Sequence, residues 1–169
     1  MNKTPIEYLD YTWNPIAMRC DRCSPGCLNC WHLRTADRLC KNPSLPEAER
    51  LALAGKGPFI LRERELSAPL RLKKPSVIGV QFMGDLFHEG VPWNFIYDAY
   101  KMMAQCDFLK KGHTFLILTK RPDVMLKNVE NIAFHSDRNG IRFQNIYHGL
   151  TVCNQDEWNR LGPIFMQVP

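Results

Sequence analysis

Apolar residues form three short, nearly continuous runs in the second half of the chain. The runs cover residues 77–83, 113–119 and 145–152. Such runs are typical of strands that are buried on both faces of a parallel sheet. Residues with helical spacing follow each run, so predicted strands and helices alternate along the chain. This alternation predicts an α/β fold with a parallel sheet and outer helices.

The first half of the chain contributes one strand and an interruption of the alternation. A strand is predicted near residues 11–14, where β-prone aromatic residues cluster. The Pro- and Gly-rich residues 41–75 are interpreted as an insertion. The predicted helices cover residues 28–40, 47–54, 66–72, 93–106, 122–134 and 154–161. Residues 135–141 are predicted to form a polar turn, and the apolar residues 163–168 to lead into another strand.

Composition is that of an ordinary globular protein with a moderate positive charge. The 169 residues fit a single domain, 1–169, with 45% hydrophobic and 23% charged residues. No apolar run approaches the length of a membrane span, and the N-terminus has no apolar signal region. We therefore predict a cytoplasmic protein with no membrane partner. The net charge of +5 is compatible with a nucleic-acid partner.

Four of the seven cysteines lie within eleven residues, in a loop at residues 20–30. In a reducing compartment disulfides are disfavoured, so thiolates at this density indicate a metal. The spacing Cys23-x3-Cys27-x2-Cys30 is that of the common radical S-adenosylmethionine motif, and Cys20-x6-Cys27-x2-Cys30 is a wider version. Either set leaves one iron of a 4Fe–4S cluster without a protein ligand, which is where S-adenosylmethionine binds.

Structural zinc is the alternative for the same cysteines. Cys20-x2-Cys23 and Cys27-x2-Cys30 are each spaced like the ligand pairs of zinc knuckles. The three-residue gap between the two pairs is much shorter than in ordinary zinc ribbons. The cluster is therefore the favoured prediction, and zinc the second.

Polar residues follow the predicted strands, where functional residues of α/β folds are found. Gly84 and Asp85 follow one strand, and Thr119, Lys120 and Arg121 follow the next. We predict cofactor binding by Gly84, Asp85, Thr119 and Lys120. Residues 119–121 suit either the carboxylate of the cofactor or a phosphate of the substrate. A capping role in a tight turn is the alternative for Asp85, and a solvated charged turn is the alternative for residues 119–121.

Five further residues are interpreted as structural. Cys40, Cys106 and Cys153 are scattered along the chain and are predicted to be small buried packing residues. His88 and Glu89 are predicted to form an exposed loop pair rather than a proton donor and a substrate contact.

Several motifs resemble, in the same order, those of a three-Cys-motif family of unknown function from phages and bacteria. They are Thr-Trp-Asn-Pro at 12–15, the cysteine loop with Ser-Pro-Gly at 24–26, residues 83–89 with 91–92, residues 118–122, and, more loosely, residues 148–152 with 154–155. That family is similar to radical S-adenosylmethionine proteins such as spore photoproduct lyase.

The resemblance implies a partial (βα) TIM-type barrel of the radical S-adenosylmethionine kind. It also implies a 4Fe–4S cluster on Cys20, Cys27 and Cys30, with Cys23 as the alternative to Cys20. In such folds a glycine-rich acidic turn after the second strand holds the amino group of the cofactor, which is the place of Gly84 and Asp85. The expected reaction is reductive cleavage of S-adenosylmethionine to a 5′-deoxyadenosyl radical, which acts on an unknown substrate.

Two consequences of the resemblance concern partners. The likeness to spore photoproduct lyase allows a nucleic-acid substrate by analogy. Family members continue beyond the point that corresponds to residue 169, so a partner chain that completes the barrel, a truncated chain and a reduced form of the family are alternative interpretations. The competing function is a non-enzymatic phage interaction module that carries zinc or a cluster.

Overall fold

The structure is a computed structural model that describes residues 1–17, 19–137 and 143–169. Within these ranges the strands are β1 (Asn2–Lys3), β2 (Tyr11–Trp13), β3 (Val77–Val80), β4 (Thr114–Thr119) and β5 (Ile146–Leu150). The α-helices are α1 (Trp31–Leu39), α2 (Glu47–Leu53), α3 (Glu63–Leu66), α4 (Trp93–Phe108), α5 (Pro122–Asp137) and α6 (Gln155–Phe165). None of these helices is long and apolar enough to cross a membrane.

The five strands form one sheet whose order, β1-β2-β3-β4-β5, follows the order of the chain. β1 pairs antiparallel with β2, and the other three pairs are parallel. The prediction of an α/β fold with a mainly parallel sheet is therefore confirmed. Within the described residues β1 and β5 do not pair with each other, so the sheet is open and no closed TIM-type barrel is formed.

The hydrophobic core lies between the sheet and helices α4 and α5. On β4, Phe115 and Ile117 are fully buried in this core, whereas Leu118 is 37% exposed. Successive side chains of a strand point to opposite faces of the sheet. The prediction that this strand is buried on both faces is therefore wrong, because Thr114 and Leu116 on its second face are only half-buried and Leu118 borders an open cavity.

β3 ends at Val80, three residues earlier than predicted. Gln81 has a φ of 54°, which is uncommon for a residue other than glycine. Its side-chain amide replaces a strand partner, because Oε1 accepts from the backbone N–H of Ile16 at 3.0 Å and Nε2 donates to the carbonyl of Ile16 at 3.2 Å. Gln81 thus ties the segment that leads into the cysteine loop to the end of β3.

Residues 41–75, the predicted insertion, contain α2, α3 and a 3-10 helix, Ala68–Arg71, between α1 and β3. The single helix predicted at 66–72 is divided at Ser67, where Pro69 lacks the N–H that a continuous helix would use. This region packs on β2, since Trp13 Nε1 donates to the carbonyl of Glu65 at 2.7 Å.

The polar turn predicted at 135–141 is wrong for residues 135–137, which belong to α5. Ile132 and Ser136 are four residues apart and both buried, so the buried face of α5 continues through this segment. The remaining residues of that predicted turn, 138–141, lie outside the described part of the chain.

The prediction that residues 163–168 lead into another strand is also wrong, because residues 163–165 complete α6. Leu161 and Phe165 are four residues apart and pack against the core from one face of the helix. The backbone N–H of Met166 donates to the carbonyl of Gly162 at 2.9 Å, which closes the last turn. The apolar residues therefore reflect a helical rather than an extended pattern.

Candidate functional site

A cavity of about 670 Å³ lies at the carboxyl ends of the parallel strands. Its wall contains all the site residues that the sequence predicts: Cys20, Cys23, Cys27, Cys30, Gly84, Asp85, Thr119 and Lys120. The volume is within the range of about 300–1,000 Å³ that is usual for sites that bind small molecules. The fold thus brings together residues from the cysteine loop, the turn after β3 and the end of β4.

Apolar and aromatic side chains also line the cavity wall. Leu118 contributes from β4 and Phe82 from the turn after β3. Tyr8 contributes from the N-terminal segment and Trp31 from the start of α1. Tyr8 is 60% exposed and Trp31 is 55% exposed. Trp13, which lies near the loop in sequence, is fully buried in the core instead.

The cysteine loop is a tight turn built by Ser24, Pro25 and Gly26. The backbone N–H of Cys27 donates to the carbonyl of Ser24 at 3.0 Å and opens a 3-10 helix, Pro25–Asn29, that leads into α1. Proline presets φ at the start of such a turn. Gly26 is needed for a different reason, because a Cβ at this position would collide with Sγ of Cys153.

The thiols of the loop differ in their surroundings. Cys27 is buried, Cys20 and Cys30 are half-buried, and Cys23 is exposed. Burial raises the pKa of Cys20 to about 11 and that of Cys23 to about 12, although Arg121 opposes both shifts. At Cys27 burial also raises the pKa, but backbone hydrogen bonds at Cys23 and Ser24 outweigh it and lower the pKa below its usual value.

The donor chemistry of the loop suits iron and sulfur, because thiolates are the usual ligands of 4Fe–4S clusters. All seven cysteines are free thiols. In the described ranges no three His, Cys, Asp or Glu side chains lie close enough together to hold a single metal ion. The assignments of a cluster or of zinc to Cys20, Cys23, Cys27 and Cys30 stay predictions.

Asp85 joins the turn after β3 to the end of β4. Its buried carboxylate accepts from Thr119 Oγ1 at 2.8 and 2.9 Å, from the backbone N–H of Lys120 at 3.1 Å and from that of Phe87 at 3.0 Å. A carboxylate has about four acceptor positions. These contacts therefore occupy Asp85 and Thr119 with each other and with the backbone, and they fix the shape of the cavity wall.

Gly84, beside Asp85, allows the turn after β3 to pass close to the residues that precede the cysteine loop. Its φ is +145°, a conformation that residues with a Cβ rarely adopt. A Cβ at this position would lie 3.0 Å from Gln81 Nε2 and 3.1 Å from the backbone oxygen of Arg19. The glycine is therefore required where this turn meets the chain that enters the loop.

Arg121 connects the end of β4 to the cysteine loop. Its Nε donates to both carboxylate oxygens of Glu89, at 3.0 and 3.1 Å, and Nη2 donates to the carbonyl of Asp21 at 3.2 Å. Nη1 lies 3.5 Å from Asp85 Oδ2. Arg121 is only 5% exposed, so the solvated charged turn that was the alternative for residues 119–121 does not describe it.

His88 provides the second connection to the loop. Its Nδ1 accepts from the backbone N–H of Gly90 at 3.0 Å, so the neutral ring donates through Nε2 to Asp21 Oδ2 at 3.0 Å. The ring packs on Phe59 at 4.5 Å between centroids and is 6% exposed. The prediction of an exposed pair is therefore wrong for His88, although the side chain of Glu89 is 62% exposed.

Sequence reasoning missed His32, which lies two residues after Cys30 in the cavity wall. It is 3% exposed, and neither ring nitrogen has a hydrogen-bond partner among the described residues. Burial lowers its pKa to about 4, so the ring is neutral near pH 7. The buried face of α1 consists of His32 and Ala36. The four-residue spacing between His32 and Ala36 was the only feature of the sequence that could have indicated that His32 is buried.

The three scattered cysteines were predicted to be buried, and this is correct for Cys106 alone. Cys40 is half-buried at the end of α1, where its Sγ donates to the carbonyl of Asp37. Cys153 is exposed because it lies in the connection between β5 and α6, against Gly26 of the cysteine loop.

Comparison with known proteins gives one result. No curated protein and no solved structure matches the chain. A family model described as "Protein of unknown function (DUF5131)" matches residues 3–169, which is nearly the whole chain. The chain therefore belongs to this family of proteins of unknown function.

Proposed function

We propose that this protein holds a 4Fe–4S cluster on Cys20, Cys27 and Cys30 and binds S-adenosylmethionine in the adjoining cavity. The scaffold would be a partial (βα) barrel of the radical S-adenosylmethionine kind, working in the reducing cytoplasm. One observation carries the proposal: a single cavity is lined by every loop thiol and by the residues that follow β3 and β4.

The order of the strands supports this scaffold. Strands β2 to β5 are parallel and adjacent in chain order, which is the arrangement of successive strands in a (βα) barrel. The site lies at their carboxyl ends, where barrel enzymes place their active sites. This strand order therefore supports the proposal of a partial barrel.

Cys20, Cys27 and Cys30 would hold the cluster, which, once reduced, would supply the one electron needed to cleave the C5′–S bond of the sulfonium to methionine and a 5′-deoxyadenosyl radical. The residues of this chain hold and shield that site. Arg121 places a buried positive charge beside Cys20 and Cys23, which offsets the negative charge of a thiolate-bound cluster. Asp85 and Thr119 fix the opposite wall.

Anaerobic reconstitution followed by metal analysis tests the cluster. We expect about four irons and four sulfides per chain and a brown colour from thiolate-to-iron charge transfer. Separate Ser substitutions at Cys20, Cys23, Cys27 and Cys30 identify the ligands, and only the three ligands should lose most of the iron. Cys40→Ser is the matched control, because Cys40 lies outside the cavity and should keep full iron loading.

Reductive cleavage is then measured as 5′-deoxyadenosine formed from S-adenosylmethionine with dithionite as the electron source. Formation that depends on the loaded cluster is the expected result. A colourless protein that carries one zinc per chain after anaerobic purification would contradict the proposal and favour the structural alternative. A fully loaded cluster that gives no 5′-deoxyadenosine would reject the catalytic part alone.

A further inference from the structure

One positively charged side chain of the cavity wall has no charged partner among the described residues. Asp85 is the acidic residue among the described residues of the wall, and its oxygens are filled by Thr119 and by backbone N–H groups. Of the two basic residues of the wall, Arg121 is engaged with carboxylates. Lys120 forms no ion pair with any described residue, although it is half-buried. Its ammonium group is therefore available to a ligand.

Helix α1 adds backbone donors to the same side of the cavity. The nine-residue helix starts directly after Cys30, and Trp31, His32 and Leu33 of its first turn line the cavity. Among the described residues no side chain caps this end, and no acidic residue lies in the first turn. The first backbone N–H of the helix with a partner in that part of the chain is that of Arg34, which donates to the carbonyl of Cys30. The free amide groups at the start of a helix, together with its dipole, favour an anion.

His32 is an independent sign of a missing polar partner. It lies in the same wall, is 97% buried, and has no hydrogen-bond partner at either ring nitrogen among the described residues. Buried polar groups in native proteins nearly always have a partner. The neutral ring carries one N–H donor, so a ligand oxygen would satisfy it.

Lys120 lies beside the turn that leads into α1. The Lys120 Cε atom lies 3.6 Å from the position that a Cβ on Gly26 would take. Gly26 belongs to the 3-10 helix that immediately precedes Cys30 and α1. The lysine side chain therefore extends over the turn that precedes the free amide groups.

We propose that Lys120, the first turn of α1 and His32 form a binding subsite for a phosphate group of a ligand. An ammonium, three backbone amides and an imidazole N–H exceed what the two oxygens of a carboxylate can accept in good geometry, whereas a phosphate has three or four oxygens. The half-exposed Tyr8 and Trp31 lie in the same cavity and offer rings for stacking with a base. The ligand class is a phosphate ester, with a nucleoside monophosphate as the simplest form.

Isothermal titration calorimetry on the full chain without a cluster tests the subsite separately from the proposed function. The probes are inorganic phosphate, adenosine monophosphate, adenosine and methionine. We expect the monophosphate to bind at least tenfold more tightly than adenosine. Lys120→Ala should weaken the monophosphate about tenfold without changing adenosine, and Lys120→Arg should restore most of the affinity.

Lys127→Ala is the matched control, because this exposed lysine on α5 lies outside the cavity, and its affinity should equal that of the unchanged chain. His32→Leu should weaken the monophosphate and His32→Gln should weaken it less, with circular dichroism to confirm folding. Equal affinity for adenosine and its monophosphate would overturn the proposal. Binding of methionine, but not of the monophosphate, in a Lys120-dependent way would overturn it in favour of a carboxylate site.

Discussion

Replacement of Arg121 by methionine tests how the cysteine loop is held against the sheet. The guanidinium is buried between the loop and the ends of two strands, where it contacts Glu89, Asp85 and the carbonyl of Asp21. Methionine keeps a similar length and removes the charge and all the donors. The buried carboxylate of Asp85 then loses its countercharge, and Asp21 of the loop loses the contact with Arg121 while it keeps the one with His88.

The cost follows from the burial of each partner. Removal of one member of a buried ion pair costs about 3–5 kcal/mol, but Asp85 keeps its other donors, so about 2 kcal/mol is a better value here. The lost hydrogen bond to the Asp21 carbonyl adds about 1 kcal/mol. The pair with Glu89 contributes at most about 0.5 kcal/mol, because that carboxylate is largely exposed. We therefore expect a loss of about 3–4 kcal/mol, a large part of the usual 5–15 kcal/mol.

Urea unfolding followed by circular dichroism measures this loss, and hydrogen exchange at residues 20–30 reports on the loop. Arg121→Lys keeps the charge but reaches fewer partners, so its loss should be about half as large. Glu89→Gln is the matched control and should cost less than about 1 kcal/mol. Equal losses for Arg121→Met and Glu89→Gln, or unchanged exchange in the loop, would show that Arg121 does not anchor it.

Three further changes test local features of the fold. Gly84→Ala should destabilise the protein by about 1–3 kcal/mol, measured by urea unfolding, because of its φ of +145° and the contact with Gln81; a neutral result would contradict that strain. Asn154→Ala removes the side-chain cap that accepts from the N–H of Glu157 at 2.8 Å and should cost about 1 kcal/mol in the same assay. Burial lowers the pKa of His148 in the folded chain to about 4, from 6.5 in the unfolded chain. As the pH falls through this range, the unfolded chain binds a proton at His148 that the folded chain does not, so the folded state loses stability. Between pH 7 and 5 the free energy of unfolding should thus drop by about 2 kcal/mol more in the unchanged chain than in His148→Gln, and parallel pH profiles would refute this.

The alternation of strands and helices could be predicted because β3, β4 and β5 each lie in a nearly continuous apolar run. The two-residue strand β1 is polar and was not predicted. Two of these runs, at β3 and β4, extend directly into polar residues, and the carboxyl-end rule then places Gly84, Asp85, Thr119 and Lys120 in one region. The rule depends only on strand direction, which the alternation supplies. This is why the location of the candidate site could be predicted before the contacts within it.

The contacts that build the site could not be predicted, because they join residues far apart in the chain. Asp21 contacts His88 and Arg121, which are 67 and 100 positions away in the chain. Contacts over such separations produce no periodic pattern in the sequence. The apolar run of β4 was equally ambiguous, since a face toward a cavity and a face toward a second layer of helices contain the same residue types. The ends of α5 and α6 were misplaced because polar residues and Pro163 concealed a helical spacing.

The two protein anchors of the cysteine loop distinguish this site from a small metal knuckle. In zinc fingers the metal supplies most of the folding free energy, so folding and metal binding cannot be separated. Here Asp21 connects the loop to β4 through Arg121 and to the turn after β3 through His88, and neither contact uses a thiol. Substitution of an anchor therefore changes the geometry of the loop while all the cysteines remain, and substitution of a cysteine removes a ligand while both anchors remain. We expect iron loading to fall in the anchor variants and in the cysteine variants, but hydrogen exchange of the loop to rise only in the anchor variants. This result would show that the anchors set the geometry of the loop and that the cysteines bind the iron.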